Sequence, residues 1–249
     1  MNNQTLRVMT FNIRHGRGMD DNVSLAKIAD EIERSGADIV GLQEVDRFLP
    51  RSELKDQPAE LARLLNWNAC YSPSEDRHNT SSTSAYIRDK DEETGLEGQY
   101  GNAILSRFPI VAHQFHYLPG DRERRSWLHA EIEINGRSLN FFCTHLGLDE
   151  AEKMAQVDAL VNALKSTFGA IVLLGDFNMK PENPTLTRLA TEIPKVPLLG
   201  NVTTFAGKTG KIVEIDHIFT DLPLAKEAAW TQVTDASDHH PLLAQIEFS

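Results

Sequence analysis

The sequence predicts an α/β protein, a four-layer α-β-β-α sandwich of two packed mixed sheets flanked by helices, within a single domain covering residues 1–249. A β-helix-β pattern occurs near the start of the chain and returns in its second half, and in both copies the strands end in polar residues. No Pro/Gly/Ser-rich linker or shift of composition divides the 249 residues, of which 41% are hydrophobic and 24% charged. That is enough for a substantial single core.

Leu6 to Phe11 reads as a strand ending at Asn12, followed by the glycine-containing turn Arg14-His15-Gly16-Arg17-Gly18. Leu25, Ile28, Ala29 and Ile32 fall at helical spacing, so Ser24 to Arg34 is an amphipathic helix, with Ser24 or Asn22 near its N-cap and Gly36 closing it. A strand from Ile39 to Glu44 completes the first unit. Pro58 to Asn66 is a second helix, and the polar stretch Ser72 to Gly98 reads as a long excursion from the domain. Gly101 to Ser106 and Trp127 to Ile134 are strands, and Asn135-Gly136 is a tight hairpin turn into Arg137. The second unit begins with the strand Arg137 to Thr144, which ends at His145. A helix follows Asp149, which has capping-box spacing to Glu152; Met154, Val157, Val161, Leu164 and Phe168 form its expected apolar face, and Gly169 ends it. The strand to Asp176 and Asn178 comes next, and Asn183-Pro184 caps a short helix through Ala190.

Two cysteines cannot make a disulfide framework, and Cys143 sits in an apolar run as a small buried thiol would. The expected location is cytoplasmic: Met1 to Thr5 lacks the basic and apolar regions of a signal peptide, and no run reaches transmembrane length. A net charge of -11 argues against a general nucleic-acid binder, because sequence-independent affinity for phosphate backbones comes from Lys and Arg. A local basic patch is still available from Arg122, Arg124 and Arg125, with Arg47 and Arg51 after the first acidic strand end.

The chemistry gathers where apolar runs meet acids. Ile39 to Leu42 runs into Gln43-Glu44, Ile171 to Leu174 into Gly175-Asp176-Phe177-Asn178, and Val213 to Ile215 into Asp216-His217. Asp238-His239 stands just before the closing apolar run. Structural zinc prefers Cys and His, whereas carboxylate and amide oxygens suit Mg or Mn, one or two ions, completed by phosphate oxygens of a substrate. His145 and His239 are candidates for proton transfer or for hydrogen bonding to a phosphoryl group. Taken alone, Asn12 would be a strand-end turn residue, Asp176-Phe177-Asn178 an Asx-type turn, and His145 a partly buried, hydrogen-bonded histidine.

Together, Thr10-Phe11-Asn12, Gln43-Glu44-Val45, Thr144-His145-Leu146, Gly175-Asp176-Phe177-Asn178, Ile215-Asp216-His217 and Ser237-Asp238-His239 stand in the order found in the endonuclease/exonuclease/phosphatase superfamily. The resemblance spans nearly the whole chain. It implies Glu44 as principal metal ligand, with Asn12 beside it and Asp238 near the same cation or a second one. Asp176 is implied as the group that orients or deprotonates water, Asn178 as a phosphate donor, and Asp216 as the partner that fixes and charges His239. His145 would stabilise the phosphate or protonate the leaving oxygen. Whether Asp176 or His239 is the base is left open. Asn102 resembles a family segment lining the cleft, and Arg125 could bind a second phosphate or an acidic headgroup. His217 and His240 are given structural roles, because alternation along a strand turns them from the functional face.

The expectation is a divalent-metal-dependent phosphoric ester hydrolase, a phosphodiesterase acting by in-line attack of water. Its partner would be a small or lipid-derived phosphoester. An endo- or exonuclease acting on DNA or RNA is the alternative, and a non-catalytic phosphate-ligand-binding protein on the same fold is a further one. No protein partner is inferable.

Overall fold

A computed structural model of the chain describes residues 4–74, 98–198, 203–207, 212–225 and 229–249. Most of the Ser72–Gly98 excursion, residues 75–97, lies outside the described residues.

The first half runs β1 (Gln4–Asn12), α1 (Leu25–Ser35), β2 (Ile39–Arg47), α2 (Gln57–Leu65), β3 (Asn68–Ser74), β4 (Gln99–Ser106) and β5 (Ile110–Tyr117). The second runs β6 (Ser126–Ile134), β7 (Arg137–His145), α3 (Glu150–Lys165), β8 (Ala170–Asp176), α4 (Pro184–Glu192), β9 (Phe205–Ala206), β10 (Ile212–Val213), β11 (Asp216–Thr220), β12 (Trp230–Thr231) and β13 (Leu242–Phe248). One sheet has the order β12-β13-β1-β2-β4-β3 and the other β11-β8-β7-β6-β5. Each expected β-helix-β unit is a parallel pair, β1 with β2 and β7 with β8. Helices α1 and α2 cover the first sheet with Leu25, Ile28, Ile32 and Leu61. Helices α3 and α4 cover the second with Val157, Leu160, Leu186 and Leu189. Between the sheets lies a dry layer that includes Val8, Ile39, Ile104, Leu128, Phe141, Leu174 and Ile218, giving the four-layer sandwich.

Local chemistry explains the helix ends. Ser24 accepts from the Lys27 amide at the start of α1, and Gly36, at φ 63°, closes it in the left-handed conformation. Asp149 caps α3 by accepting from the amides of Ala151 and Glu152. The capping box is only half made, however: the Glu152 carboxylate accepts instead from the amides of Asp121 and Arg122, at 3.0 and 3.1 Å. On α3, Val157, Val161 and Leu164 of the expected apolar face are buried, but Met154 and Phe168 are not. Met154 is 52% exposed and Phe168 93%, while Lys153 and Gln156 face inward. Those two polar side chains are buried because partners await them, Asn178 O for Lys153 and the Gly147 amide for Gln156.

Two strand readings also change. β2 does not stop at Glu44; it bulges between Leu42 and Val45, with Glu44 at φ 57°, and pairs with β4 as far as Arg47. The bulge re-aims the glutamate without ending the strand. Asp216 opens β11 rather than closing a strand, because β11 runs antiparallel to β8 with Asp216 opposite Asp176. β5 shows no sequence signal because, as an edge strand, it exposes seven of its eight residues and alternates no clean apolar face.

At the centre of the interface Gly41 of β2 packs on β7 and β8. A Cβ there would fall inside van der Waals contact of Leu174 Cδ1 and 3.0 Å from Cys143 Sγ. Gly41→Val is expected to lower the unfolding free energy by about 2–3 kcal/mol through overpacking. Urea denaturation checks this; an unchanged midpoint would mean that the sheets do not meet at Gly41.

Candidate active site

Strand direction and register bring the site to one edge of the sandwich. In the second sheet His145 ends β7 beside Asp176 at the end of β8, and Asp176 pairs with Asp216 at the start of β11. In the first sheet Asn12 ends β1 beside Gln43, the bulge carries Glu44, and residues 238–239 lead into β13, where Leu242 pairs with Thr10. Parallel strands deliver their last residues and antiparallel strands their first.

Asn12 is fully buried and joins the halves. Its Nδ2 donates to Glu44 Oε1 and to Asp176 Oδ2, both at 3.1 Å, while Oδ1 accepts from the Arg14 amide. Ser237 Oγ donates to Asn12 O at 2.8 Å, fixing the segment that carries Asp238 and His239. Asp238 Oδ2 lies 3.5 Å from Arg14 Nε. Asp176 Oδ1 accepts from the Asn178 amide at 2.9 Å, and Oδ2 lies 3.5 Å from His145 Nε2 and 3.7 Å from His239 Nε2. Asn178, left-handed at φ 52°, donates Nδ2 to Leu146 O at 2.9 Å. His239 Nδ1 donates to Asp216 Oδ2 at 2.9 Å, and Asp216 Oδ1 has no hydrogen-bond partner among the described residues.

These contacts set the charges. Burial opposes a charge on His239, but Asp216 outweighs it through both attraction and the hydrogen bond, and the pKa rises to about 10. The Asp176 carboxyl is pushed up to about 7, first by burial and then by Asp216, with His239 pulling the other way. His145 is driven well below its ordinary value by burial, Arg125 and His239, so its ring is neutral at neutral pH. Asp176, Asp216 and His239 offer ligand atoms all within 4.8 Å of one another. His239 Nδ1 is already engaged by Asp216 Oδ2 at 2.9 Å, while its Nε2 stands 3.7 Å from Asp176 Oδ2.

Of the residues singled out in the sequence, Asn12, Glu44, Asp176, Asp216, His145 and His239 are linked by these contacts, with Asp238 and Asn178 held to the same segments. Asn102 is not joined to them: it is 1% exposed and donates to Ser126 O at 3.0 Å, between the sheets. Arg125 is 5% exposed with Nη2 on Glu123 at 2.7 Å, and its Nε and Nη1 lack hydrogen-bond partners among the described residues. The other members of the basic patch are engaged, Arg47 with Asp56, Arg51 with Asp46 and Arg122 with Asp149, while Arg124 lies 4.2 Å over the Tyr117 ring. His217 donates to Met179 O and His240 accepts from the Thr234 amide, so both rings make backbone contacts and neither bonds to the clustered side chains.

Two supports carry no signature in the sequence. Thr204 Oγ1 accepts from the Ile215 and Asp216 amides, and Phe205 meets the His239 ring edge-on at 4.9 Å between centroids. Neither position belongs to a local motif. Tyr100 could have been found, since it precedes Asn102; burial and Glu44 hold its hydroxyl well above its ordinary pKa.

The fold is an α/β sandwich that gathers carboxylates and histidines from both sheets at one edge. The chain belongs to the Endonuclease/Exonuclease/phosphatase family, whose model matches residues 9–239; members are hydrolytic enzymes acting on phosphoesters. It is 28% identical to the uncharacterized protein YbhP of Escherichia coli strain K12, over 97% of this chain and 96% of that one. Among solved structures it resembles an endonuclease/exonuclease/phosphatase from Beutenbergia cavernae, with TM-score 0.77 and 22% identity over 99% of this chain and 72% of that one. It also resembles ANGEL2, a 2',3'-cyclic phosphatase, with TM-score 0.72 and 17% identity over 99% and 96%. At these identities the two structures speak for the fold.

The Asp216–His239 pair makes a pH prediction. The ring's pKa in the folded protein lies above its ordinary value of 6.5, so the stability it contributes is complete below about pH 6.5 and is lost as pH rises through about 10. Imidazole ¹⁵N NMR at pH 8 should show a protonated His239 in the wild type and a neutral ring in Asp216→Asn, where burial is opposed only by the smaller pulls of Asp176 and Glu44. A neutral wild-type ring would refute the charge assignment.

Proposed function

We propose that the protein is a divalent-cation-dependent phosphodiesterase that hydrolyses a small or lipid-derived phosphoester by in-line attack of water. The observation that carries this reading is the pairing of a buried Asp176, poised near neutrality, with a charged His239 whose Nε2 lies 3.7 Å away. A proton acceptor and a fixed positive charge then stand at one spot, as phosphoryl transfer to water requires.

The residues present fit a hard cation. Glu44 and Asp238 are only partly buried and offer carboxylate oxygens at the edge where Asn12 holds Glu44. An all-oxygen set with no thiolate suits Mg or Mn. When bound, such an ion neutralises the phosphoryl oxygens and stabilises the departing one.

The side chains then take separate parts. Asp176 Oδ2 orients the attacking water and accepts its proton. His239, charged at neutral pH, is the wrong state for a base and instead holds a non-bridging phosphate oxygen through Nε2–H. His145, neutral, donates a hydrogen bond to the phosphate rather than a proton. Asn178 has a second Nδ2 hydrogen for another phosphate oxygen, since only one is engaged by Leu146 O. Asp216 keeps His239 charged and oriented. The net charge of -11 and the paired arginines of the expected basic patch favour a small or lipid-derived ester over a long polyanion.

Two expectations test the reading. With Mg or Mn, the wild type should hydrolyse bis(4-nitrophenyl) phosphate, and Asp176→Asn should lower kcat by a factor on the order of 10² or more, as loss of a general base does; undiminished turnover in that variant would sink the mechanism. Across a panel of plasmid DNA, RNA, sphingomyelin, phosphoinositides and nucleotides, a small or lipid-derived ester should give the highest kcat/KM. Efficient plasmid cleavage at physiological salt would replace this assignment with a nuclease.

A further inference from the structure

Behind the Asp176–Met179 turn lie two buried side chains with no part in the chemistry just described. Lys153 of α3 is 3% exposed, although a lysine is rarely buried without a partner. Its Nζ donates to Asn178 O at 3.1 Å and pairs with Glu150 Oε1, while Glu150 Oε2 accepts from Asn183 Nδ2 at the cap of α4. On the other side His217, fully buried, donates Nε2–H to Met179 O at 2.7 Å. Its Nδ1 lies 3.3 Å from Glu214, which Lys195 holds at 2.8 Å. Two successive carbonyls of the turn are therefore each gripped by a buried donor, one from a helix and one from a neighbouring strand.

The turn needs such a grip. Asn178 sits at φ 52°, a conformation that a non-glycine residue adopts at some cost, and its amide must reach back to Asp176 Oδ1. The two gripped carbonyls belong to the peptides that follow Asn178 and Met179, and holding them fixes the backbone on the far side of the residue whose amide reaches Asp176 Oδ1 and whose side chain reaches Leu146 O. His217 also follows Asp216 on β11, so one strand orients the partner of His239 with one residue and the turn with the next.

We propose that Lys153 and His217 are positioning residues that clamp the Asp176–Met179 turn, fixing the Asp176 carboxylate and the Asn178 side chain toward the phosphate. The assignment rests on the roles given above to Asp176 and Asn178. The clamp holds geometry and touches no substrate, so its removal slows the chemical step while leaving substrate affinity nearly intact.

The test combines steady-state kinetics on bis(4-nitrophenyl) phosphate with amide hydrogen exchange read by NMR, on Lys153→Met, Lys153→Arg, His217→Phe and His217→Gln. Lys153→Met and His217→Phe should lower kcat roughly ten- to a hundredfold, the range for lost outer-shell support, with KM nearly unchanged. The Asn178 amide should exchange faster while the amides of β7 and β8 do not. Lys153→Arg and His217→Gln, which restore a donor, should recover much of the lost kcat. Unchanged kcat in Lys153→Met, or faster exchange throughout the sheets, overturns the clamp. If Lys153→Met or His217→Phe fails to fold, the donor-retaining variants decide: kcat and Asn178 exchange near wild type support the clamp, and loss of both overturns it. Should the wild type hydrolyse none of the panel, the phosphoesterase reading fails by itself. Exchange then decides the clamp alone, local loosening at Asn178 supporting it and its absence overturning it.

Discussion

Two carboxylates from different sheets face each other at this edge, and a single amide keeps them there. Asn12 Nδ2 bridges Glu44 and Asp176 at 3.1 Å to each, while the Arg14 amide on Oδ1 prevents the side chain from flipping. Without a shared donor, like charges in a poorly solvated site would push the sheet ends apart or force one carboxyl to stay protonated. Ser237 on Asn12 O brings the lead-in to β13 under the same control. One asparagine thus sets the spacing of groups from β1, β2, β8 and the segment before β13.

Around that bridge, charge is distributed by burial rather than by solvent. Asp216 and His239 form a nearly neutral ion pair sunk into the second sheet, which lets a histidine stay charged where burial alone would discharge it. Asp176 feels the same burial, to which Asp216 adds, and the charged His239 ring 3.7 Å away only partly offsets them, so its carboxyl is left near its titration point at about 7. His145, opposite, stays neutral because burial disfavours its charge and Arg125 and His239 already supply positive charge. Asp176, His145 and His239 hold different protonation states, although Asp176 Oδ2 lies only 3.5 Å from one ring and 3.7 Å from the other, because their further neighbours differ.

Much of this was legible in the chain. The ordered motifs marked Asn12, Glu44, His145, Asp176, Asp216 and His239, and the repeated β-helix-β pattern gave the two parallel pairs and the sandwich. What the sequence concealed follows from long-range pairing. Whether Asp216 ends one strand or begins another depends on β11 running against β8, and the bulge at Glu44 depends on where β4 lies. Lys153 and Gln156 turned inward because carbonyls and amides of distant loops were waiting, whereas periodicity counts only apolar residues. Thr204 supports Asp216 from twelve residues upstream, too far for any local pattern to register.

The pairing of Gln4 with Phe248 has a practical consequence. Both residues sit at the edge of the first sheet opposite Asn12, a nine-residue strand away, or roughly 30 Å at the usual rise per residue. Gln4 and Phe248 stand there side by side. A tag, a tether to a surface or a fused protein joined at that end is therefore expected to leave the edge that carries Asn12 and Asp176 open.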